Sequence, residues 1–544
     1  MSGGSAVASV PPAVPLAPVG QGGLLTPPGE LSMGAKVFAF ATMCVGMFIA
    51  LLDIQIVSAS LRDIGGGLSA GADETVWVQT AYLIAEIVVI PLSGWLSRVM
   101  STRWLFAASA AGFTVTSMLC GLAWNIQSMI AFRAAQGFLG GSMIPMVFTT
   151  AFVFFAGPQR VIAAATVGGL SSLAPTLGPT VGGWITDNFS WHWLFFINLV
   201  PGLFVTIAVP LLVKIDKPNL SLLRGADYLG MAMMAAFLGC LEYTLEEGPR
   251  WDWFGDPVIL TTAWIAGLSG VAFIWRSLTH AQPVVDLRAL KQRNFALGCL
   301  FSFVTGIGIF ATVYLTPLFL GRVRGFSALE IGLAVFSTGL FQVASIPLYT
   351  YLGNRVDLRW LLMFGLAMFG LSMWCFTPIT HDWGWKELLL PQALRGAAQQ
   401  FAVAPVVTLT LGSLAPERLR LASGLFNLMR NLGGAIGIAA CATILNDRTN
   451  LHFYRLAEHL NASNEAMGGL LDGVARQYLS AGYSAIEAHA AALKQLSLLA
   501  LREAQTQTFG DTFLVIMACF LGALVLVPLM KKVAPPKAPS ADAH

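Results

Sequence analysis

The chain has 544 residues and a formal net charge of +3; 56% of its residues are hydrophobic and only 11% are charged. Soluble domains carry roughly 25% charged residues, so this composition, with a mean hydropathy of +0.71, excludes an ordinary soluble protein. Apolar runs of about 20 residues, the length that crosses a bilayer core, recur along almost the whole chain. The sequence therefore predicts an all-α polytopic membrane protein.

The chain begins with a segment rich in proline and glycine, residues 1–35, which lacks the basic start and apolar core of a signal peptide and is expected to be a flexible tail. Fourteen apolar stretches follow, separated by charged or turn-rich breaks. They predict helices near 36–57, 76–97, 104–123, 127–153, 161–184, 193–213, 228–245, 258–277, 295–320, 328–352, 359–379, 388–412, 421–445 and 510–530. A second short tail, 531–544, ends the chain.

An internal repeat groups these helices. Gly157-Pro-Gln-Arg160 precedes a helix with Gly182-Gly183, and Ala415-Pro-Glu-Arg418 precedes a helix with Gly433-Gly434. Many secondary transporters consist of two such repeated halves. We therefore predict two six-helix bundles separated by two additional helices, with the N-terminal bundle at 36–214, the additional pair and its linkers at 215–294, and the C-terminal bundle at 295–445 and 510–530.

Lysine and arginine are concentrated in both tails and in the loops on the same side of the membrane. The positive-inside rule therefore predicts that both termini are cytoplasmic. The long polar segment 446–509 then forms an outer, periplasmic loop, in which Ser484-Ala-Ile-Glu487 has the spacing of a capping box that opens a helix.

The fifth predicted helix carries small residues on one face and two prolines inside it. The residues are Pro175, Gly178, Pro179, Gly182 and Gly183. Small side chains let a neighbouring backbone approach closely, and each proline removes a backbone donor and softens the helix. The pattern predicts either an ordinary helix contact or a helix that packs tightly against the second half and seals one side of a pore.

Three of the ionisable residues predicted at membrane depth are candidates for proton coupling, because charges there are costly and usually functional. The helices that carry Asp53 and Arg133 enter the membrane from opposite sides, and the two residues lie at similar depth, which makes an ion pair possible. This pair is either structural or part of a transport cycle. Glu86 lies near the midplane without a basic neighbour in its own segment, so low dielectric favours its neutral form. It is either a proton carrier or a hydrogen-bonded structural acid.

Other polar and aromatic residues are candidates for lining a substrate cavity. Buried arginines usually fix helix packing, but they can also hold an anionic substrate. The candidates are Gln136, Arg395, Asn427, Arg430, Tyr82 and Tyr314. The seven cysteines fall in apolar segments without metal-ligand spacing, and no catalytic or nucleotide-binding motif is visible. We expect no metal, no cofactor, no nucleic-acid partner and no enzymatic activity.

Several motifs together resemble those of one transporter family. They are Leu51-Leu-Asp-Ile-Gln-Ile-Val57, Arg133-Ala-Ala-Gln-Gly137, Leu177-Gly-Pro-Thr-Val-Gly-Gly183, Trp191-His-Trp-Leu-Phe-Phe-Ile-Asn198, and Pro283-Val-Val-Asp-Leu287 with Arg293-Asn-Phe295. With these motifs the chain resembles the major facilitator superfamily, and within it the fourteen-helix drug:proton antiporters of the EmrB/QacA type. The loop after the second helix departs from the superfamily pattern, because Arg98 stands where an aspartate is usual and Ser101 where a glycine is usual.

The resemblance implies a proton-coupled antiporter that exports amphipathic or hydrophobic toxic compounds. It also implies that the fifth helix carries the antiporter motif, while the depth of Glu86, Asp53 and Arg133 in the membrane makes these three the candidates for proton coupling. It also implies a bacterial inner-membrane location within a tripartite pump, with a periplasmic membrane-fusion adaptor and an outer-membrane channel as partners. The alternative is a dedicated exporter of one metabolite, such as a siderophore or a fatty acid.

Overall fold

The computed structural model describes residues 32–280, 282–414, 418–458 and 465–532, and this part of the chain is helical, without a strand. Short helices at Leu61–Gly67 and Trp193–Phe196 precede the second and sixth long helices. The long helices are α1 (Met33–Ala59), α2 (Ala72–Met100), α3 (Thr102–Gly121), α4 (Ile126–Phe154), α5 (Pro158–Asn188), α6 (Leu199–Leu212), α7 (Tyr228–Glu247), α8 (Pro257–Thr279), α9 (Arg293–Phe319), α10 (Ala328–Gly353), α11 (Leu358–Phe376), α12 (Trp385–Leu411), α13 (Leu419–Glu458) and α14 (Ala485–Leu526).

Thirteen helices in these described ranges are long and apolar enough to cross a membrane, with α6 counted together with the short helix before it. The remaining long helix, α12, has 27 residues but carries Lys386, Glu387 and Arg395. Lys386 and Glu387 are exposed in its first turn, whereas Arg395 is buried, because α12 packs among α5, α9, α10 and α11. The predicted set of fourteen helices is therefore present.

The helices form two bundles and one additional pair. Helices α1–α6 pack on one another, and α9–α14 form a second group. The two groups meet where α5 packs on α10 and α12, and where α2 and α4 pack on α13. The additional helices α7 and α8 pair with each other, and α7 contacts both α2 and α13. This arrangement confirms the predicted fold class.

The described residues of the segment 446–509 are mostly helical, so the helices predicted at 421–445 and 510–530 are longer than their sequence-based bounds. Helix α13 continues to Glu458, a further helix spans Glu465–Ser480, and α14 already begins at Ala485. The prediction ended each helix where its apolar run ends, but the helices continue into polar sequence beyond that point. The capping box is confirmed, since the Ser484 hydroxyl accepts from the Glu487 N–H at 3.4 Å and the Glu487 carboxylate accepts from the Ser484 N–H at 3.0 Å.

Parts of three other predictions lie outside the described residues. They are residues 1–31 of the N-terminal tail, residues 533–544 of the C-terminal tail, and residues 415–417 of the second repeat motif.

Gly178 and Gly182 of the α5 motif face α1, so of the two predicted alternatives the structure shows these glycines in a helix contact within the first half and not against the second half. A Cβ on Gly182 would lie 2.7 Å from the Ile56 carbonyl oxygen, and one on Gly178 would lie 3.0 Å from the Gln55 carbonyl carbon. Both positions are thus restricted to glycine by the backbone of α1. The helix runs through Pro175 and Pro179 as one element, Pro158–Asn188.

Helix α5 reaches the second half through a different face. The Thr180 hydroxyl donates to the Gly332 carbonyl of α10 at 2.7 Å, and a Cβ on Gly168 would lie 3.2 Å from Val403 Cγ1 of α12. Small residues therefore cover two faces of α5, and the sequence did not distinguish which face meets which neighbour.

Candidate functional site

The structure brings Asp53 of α1 and Arg133 of α4 together in the interior of the first half. Arg133 Nη1 lies 2.5 Å from Asp53 Oδ2, and both side chains are fully buried. Arg133 Nε also donates to the Val78 carbonyl at 3.1 Å, and the guanidinium carbon lies 4.2 Å from the centroid of the Tyr82 ring. This guanidinium is therefore held by a carboxylate, a carbonyl and an aromatic face.

Two amide side chains complete the environment of Asp53. Gln136 accepts from Arg133 Nη1 at 2.7 Å and donates to Asp53 Oδ1 at 3.2 Å. Asn198 donates to the same Asp53 oxygen at 2.6 Å. Both carboxylate oxygens thus have donors, as a buried charge requires. Sequence reasoning missed the role of Asn198, although this amide ends the Trp191–Asn198 motif and stands out in an apolar run.

Glu86 of α2 lies at the contact between the two halves. It is buried, and its Oε1 has no hydrogen-bond partner in the described residues. Arg430 of α13 and Arg133 are the positive charges that act on it. Arg430 is itself buried, and its Nε and Nη2 have no partner in the same ranges. The sequence showed no basic neighbour for Glu86 because that neighbour comes from the other half of the chain.

Glu242 of α7 is a further buried carboxyl, and the sequence analysis did not identify it. It is 4% exposed, and its Oε2 has no hydrogen-bond partner among the described residues. The charges that act on it are those of Glu246 and Glu86. A glutamate inside an apolar helix is a detectable signal, but only the packing of α7 shows that it faces the interior.

The packing of α7 on α2 directs Glu242 towards Glu86. Tyr243 stacks on Trp77 near the start of α2, with ring centroids 5.4 Å apart, and a Cβ on Gly239 would lie 3.5 Å from Ile84 Cγ2. These contacts make the two helices antiparallel. Because helical side chains lean towards the N-terminus of their own helix, the two glutamates lean towards each other along this contact.

The predicted cavity residues do not form one site. Tyr82 and Gln136 belong to the environment of Asp53, whereas Arg430 and Asn427 lie on α13 and Tyr314 lies on α9. The Asn427 amide donates to the Ser423 carbonyl of its own helix at 2.9 Å.

Arg395 lies on α12 in the second half. Its Nη2 donates to the Thr338 hydroxyl at 2.8 Å, and its Nη1 to the Thr316 hydroxyl at 3.5 Å.

An apolar cavity of about 590 Å³ opens elsewhere, between the first part of α1 and α5. Phe40, Phe48, Phe155 and Leu170 are among its lining residues. It contains none of the predicted cavity residues, but its volume suits a small amphipathic molecule. Within the described ranges, no group of three or more His, Cys, Asp or Glu residues is arranged to hold a metal ion.

Comparison with known proteins identifies the family. The family model described as Major Facilitator Superfamily matches residues 43–438 and 298–534. The chain belongs to the major facilitator superfamily. It is 38% identical to the colistin resistance protein EmrB of Acinetobacter baumannii over 82% of this chain and 87% of that protein. It is 30% identical to the multidrug export protein EmrB of Escherichia coli K12 over 79% of this chain and 85% of that protein.

Other similarities extend this comparison. The chain is 30% identical to the fatty acid resistance protein FarB of Neisseria gonorrhoeae over 82% of its own length and 88% of that protein. Among solved structures, the proton:xylose symporter XylE matches with a TM-score of 0.58 at 13% identity, covering 91% of this chain and 95% of that one. The human organic anion transporter MFSD10 matches with a TM-score of 0.56 at 14% identity, covering 90% and 99%. The two structures support the fold alone.

An ion pair joins the two halves near the junction of α2 and α3, where the sequence of this chain departs from the superfamily pattern. Arg420, in the first turn of α13, lies 3.0 Å from the carboxylate of Asp216, which follows α6. Asp216 also accepts from the Thr102 N–H at the start of α3, at 3.0 and 3.1 Å. Burial raises the pKa of the Asp216 carboxyl, although the Arg420 charge and the Thr102 hydrogen bonds oppose the shift. Asp216 thus supplies a carboxylate beside Ser101, which joins α2 to α3, while Arg98, at the usual aspartate position, lies in the last turn of α2.

Proposed function

We propose that this protein is a proton-coupled antiporter that exports amphipathic or hydrophobic toxic compounds from a bacterial cell. The observation that carries the proposal is Glu86, a buried carboxyl with an unpartnered oxygen at the contact between the two halves. The similarity to multidrug export proteins over about four fifths of the chain supports the same conclusion.

Because Glu86 lies where the two halves meet, its protonation affects the attraction between the halves. Glu86 belongs to α2 of the first half. Arg430, the charged residue with the largest electrostatic effect on it, belongs to α13 of the second half. An ionised Glu86 attracts Arg430 through the low-dielectric interior, and a protonated one does not. Proton uptake therefore weakens an attraction across the contact that must open and close during alternating access.

Asp53 and Arg133 take a different part in this proposal. Every oxygen of the Asp53 carboxylate is engaged by Arg133, Gln136 or Asn198. We propose that this pair fixes α1 to α4 and that any proton exchange there follows rearrangement of the network. Glu242 lies on the α7 side of Glu86, where a second carboxyl can receive its proton.

The proposed orientation places both termini in the cytoplasm of a bacterial cell, in the inner membrane. The proposed division follows the sequence: a cytoplasmic tail at 1–35, bundles at 36–214 and at 295–445 with 510–530, an additional pair at 215–294, and a tail at 531–544. Helices α13 and α14, of 40 and 42 residues, extend about 60 Å, twice the thickness of a bilayer core. We propose that their projecting ends, with Glu465–Ser480, dock a periplasmic membrane-fusion adaptor that leads to an outer-membrane channel.

The substrate path in this proposal uses two features. The apolar cavity between α1 and α5 accepts the hydrophobic part of a compound, and the glycine motif of α5 keeps that helix close to α1. The fatty acid resistance relative supports a second candidate, a dedicated exporter of one amphipathic metabolite. Efflux measured with a panel of dyes, detergents and fatty acids separates the two, because a dedicated exporter transports one class only.

The test of the proton carrier is Glu86→Gln in proteoliposomes with an imposed proton gradient. We expect gradient-driven efflux to be abolished, while insertion and the gel-filtration profile stay unchanged, because glutamine keeps the shape but cannot ionise. Asp63→Asn, at an exposed carboxyl, is the matched control and retains full efflux. Unchanged efflux in Glu86→Gln contradicts the proposed role.

A companion variant, Glu242→Gln, tests the second carboxyl. We expect fewer protons released per substrate bound by the purified protein, with transport reduced but present. A proton yield identical to that of the wild type removes Glu242 from the coupling path.

A further inference from the structure

Arg395 is a buried guanidinium without a counter-charge. Its side chain is fully buried in α12, and its hydrogen bonds go to the hydroxyls of Thr338 and Thr316. Its Nε has no partner, and no carboxylate in the described part of the chain acts on it electrostatically. An uncompensated buried charge costs several kcal/mol. Such a charge calls for an anion that the described residues do not supply.

Two amides on the same face of α12 also lack acceptors. Gln392 and Gln399 lie three residues before and four residues after Arg395, so all three share one helical face. The Gln392 oxygen accepts from the Thr338 hydroxyl at 2.5 Å, but its Nε2 has no partner within the described ranges. Neither polar atom of Gln399 has one there either. All three side chains are fully buried, and their spare groups are mainly N–H donors.

The contact between the halves covers this cluster of donors. Gln342, one turn after Thr338 on α10, donates to the Gly169 carbonyl of α5 at 2.9 Å and also to the Ser172 hydroxyl. The donor cluster therefore lies directly behind the α5–α10 contact. Separation of α5 from α10 would break these bonds of Gln342 and uncover the side of α10 that carries Thr338, the partner of Arg395.

We propose that Arg395, Gln392 and Gln399 bind the carboxylate of an amphipathic anionic substrate. The proposal rests on the proposed export function and names a substrate class for it. A planar guanidinium donates two parallel hydrogen bonds to a carboxylate, and amide N–H groups can donate to the remaining lone pairs. One positive charge balances one carboxylate, whereas a dianionic phosphate would remain uncompensated.

The test compares three probes with the same twelve-carbon chain: dodecanoate, dodecan-1-ol and dodecyltrimethylammonium. Binding to the purified full-length protein in nanodiscs and export from proteoliposomes are both measured. We expect Arg395→Gln to weaken dodecanoate binding about tenfold or more, about 1.4 kcal/mol, with dodecanol binding unchanged. Gln399→Leu weakens dodecanoate binding to a smaller extent. Arg355→Gln, at an exposed arginine, is the control and changes none of the three.

The outcomes separate this inference from the proposed function. Equal dodecanoate affinity in wild type and Arg395→Gln, with intact gel-filtration profiles, overturns the inference. The inference is also overturned if dodecanoate binds more tightly than dodecanol in chloride but not after chloride is replaced by methanesulfonate. Binding would then depend on an inorganic anion and not on a direct contact between Arg395 and the carboxylate. Export of the alcohol and the cation with no effect of Arg395→Gln on dodecanoate contradicts only the inference. Selective dodecanoate binding without export of any probe contradicts only the proposed export function.

Discussion

Arg133 and Arg395 occupy similar places in the two halves of the molecule. Each lies in the first half of its helix, α4 or α12, and each is fully buried. A glycine follows in both helices and lets the neighbouring backbone approach. A Cβ on Gly137 would lie 3.0 Å from the Tyr82 carbonyl carbon, and one on Gly396 would lie 3.0 Å from the Thr338 carbonyl carbon. Both arginines therefore lie near a close helix–helix approach, with the glycine four residues after Arg133 and directly after Arg395.

The partners of the two arginines differ. Arg133 has the Asp53 carboxylate at 2.5 Å, while Arg395 has two threonine hydroxyls. The first half thus supplies a counter-ion for Arg133, whereas the described residues of the second half supply none for Arg395. From this difference we infer that the first arginine holds helices together and that the second is available to a ligand. The predictions that follow test the division of roles.

The largest expected difference is in stability after removal of each charge. Arg133→Gln leaves Asp53 buried without its partner, and such a loss costs about 3–5 kcal/mol. Arg395→Gln removes a charge that has no counter-ion in the described structure and is expected to be neutral or stabilising. Unfolding of both variants in detergent, followed by tryptophan fluorescence, measures the difference.

A double-mutant cycle is the control for this prediction. Asp53→Asn together with Arg133→Gln removes both charges and is expected to recover much of the stability lost in Arg133→Gln alone. Equal destabilisation by Arg133→Gln and Arg395→Gln contradicts the proposed division of roles.

The second prediction tests whether the two frameworks are equivalent. Gly137→Ala and Gly396→Ala both place a methyl group against a neighbouring carbonyl, and such overpacking costs about 1–3 kcal/mol. We expect similar losses of unfolding free energy in the two variants. Gly267→Ala in α8, where a Cβ meets nothing within 4 Å, is the matched control and is not destabilised. A loss confined to one variant shows that the backbones of the halves differ.

The fold and the Asp53–Arg133 pair could be predicted from sequence because both depend on one-dimensional information. Hydropathy runs give the number of helices, and the distance of a residue from the end of its run gives its depth. Asp53 and Arg133 have matching depths, so their pairing needed no knowledge of helix packing.

The rest of the site depends on which helices are neighbours. The charge of Arg430 acts on Glu86 only because α13 packs on α2, and Glu242 faces the same region only because α7 packs there too. The glycines of α5 show the same limit, since Gly178 and Gly182 face α1 and not the second half. Hydropathy does not predict polar helical extensions such as 446–458 for another reason. A helix outside the membrane needs no apolar run.

The smallest expected effect comes from a matched pair of glutamines, one turn after each arginine. Gln136 bonds both Arg133 and Asp53, so Gln136→Leu leaves two charged groups short of a partner and costs about 1–3 kcal/mol. Gln399 has no partner in the described residues, so Gln399→Leu is expected within about 0.5 kcal/mol of the wild type. The same unfolding measurement, made without ligand, compares them. A marked loss in Gln399→Leu means that this amide already supports the fold, and an effect of Gln399→Leu on dodecanoate binding then does not identify a ligand contact.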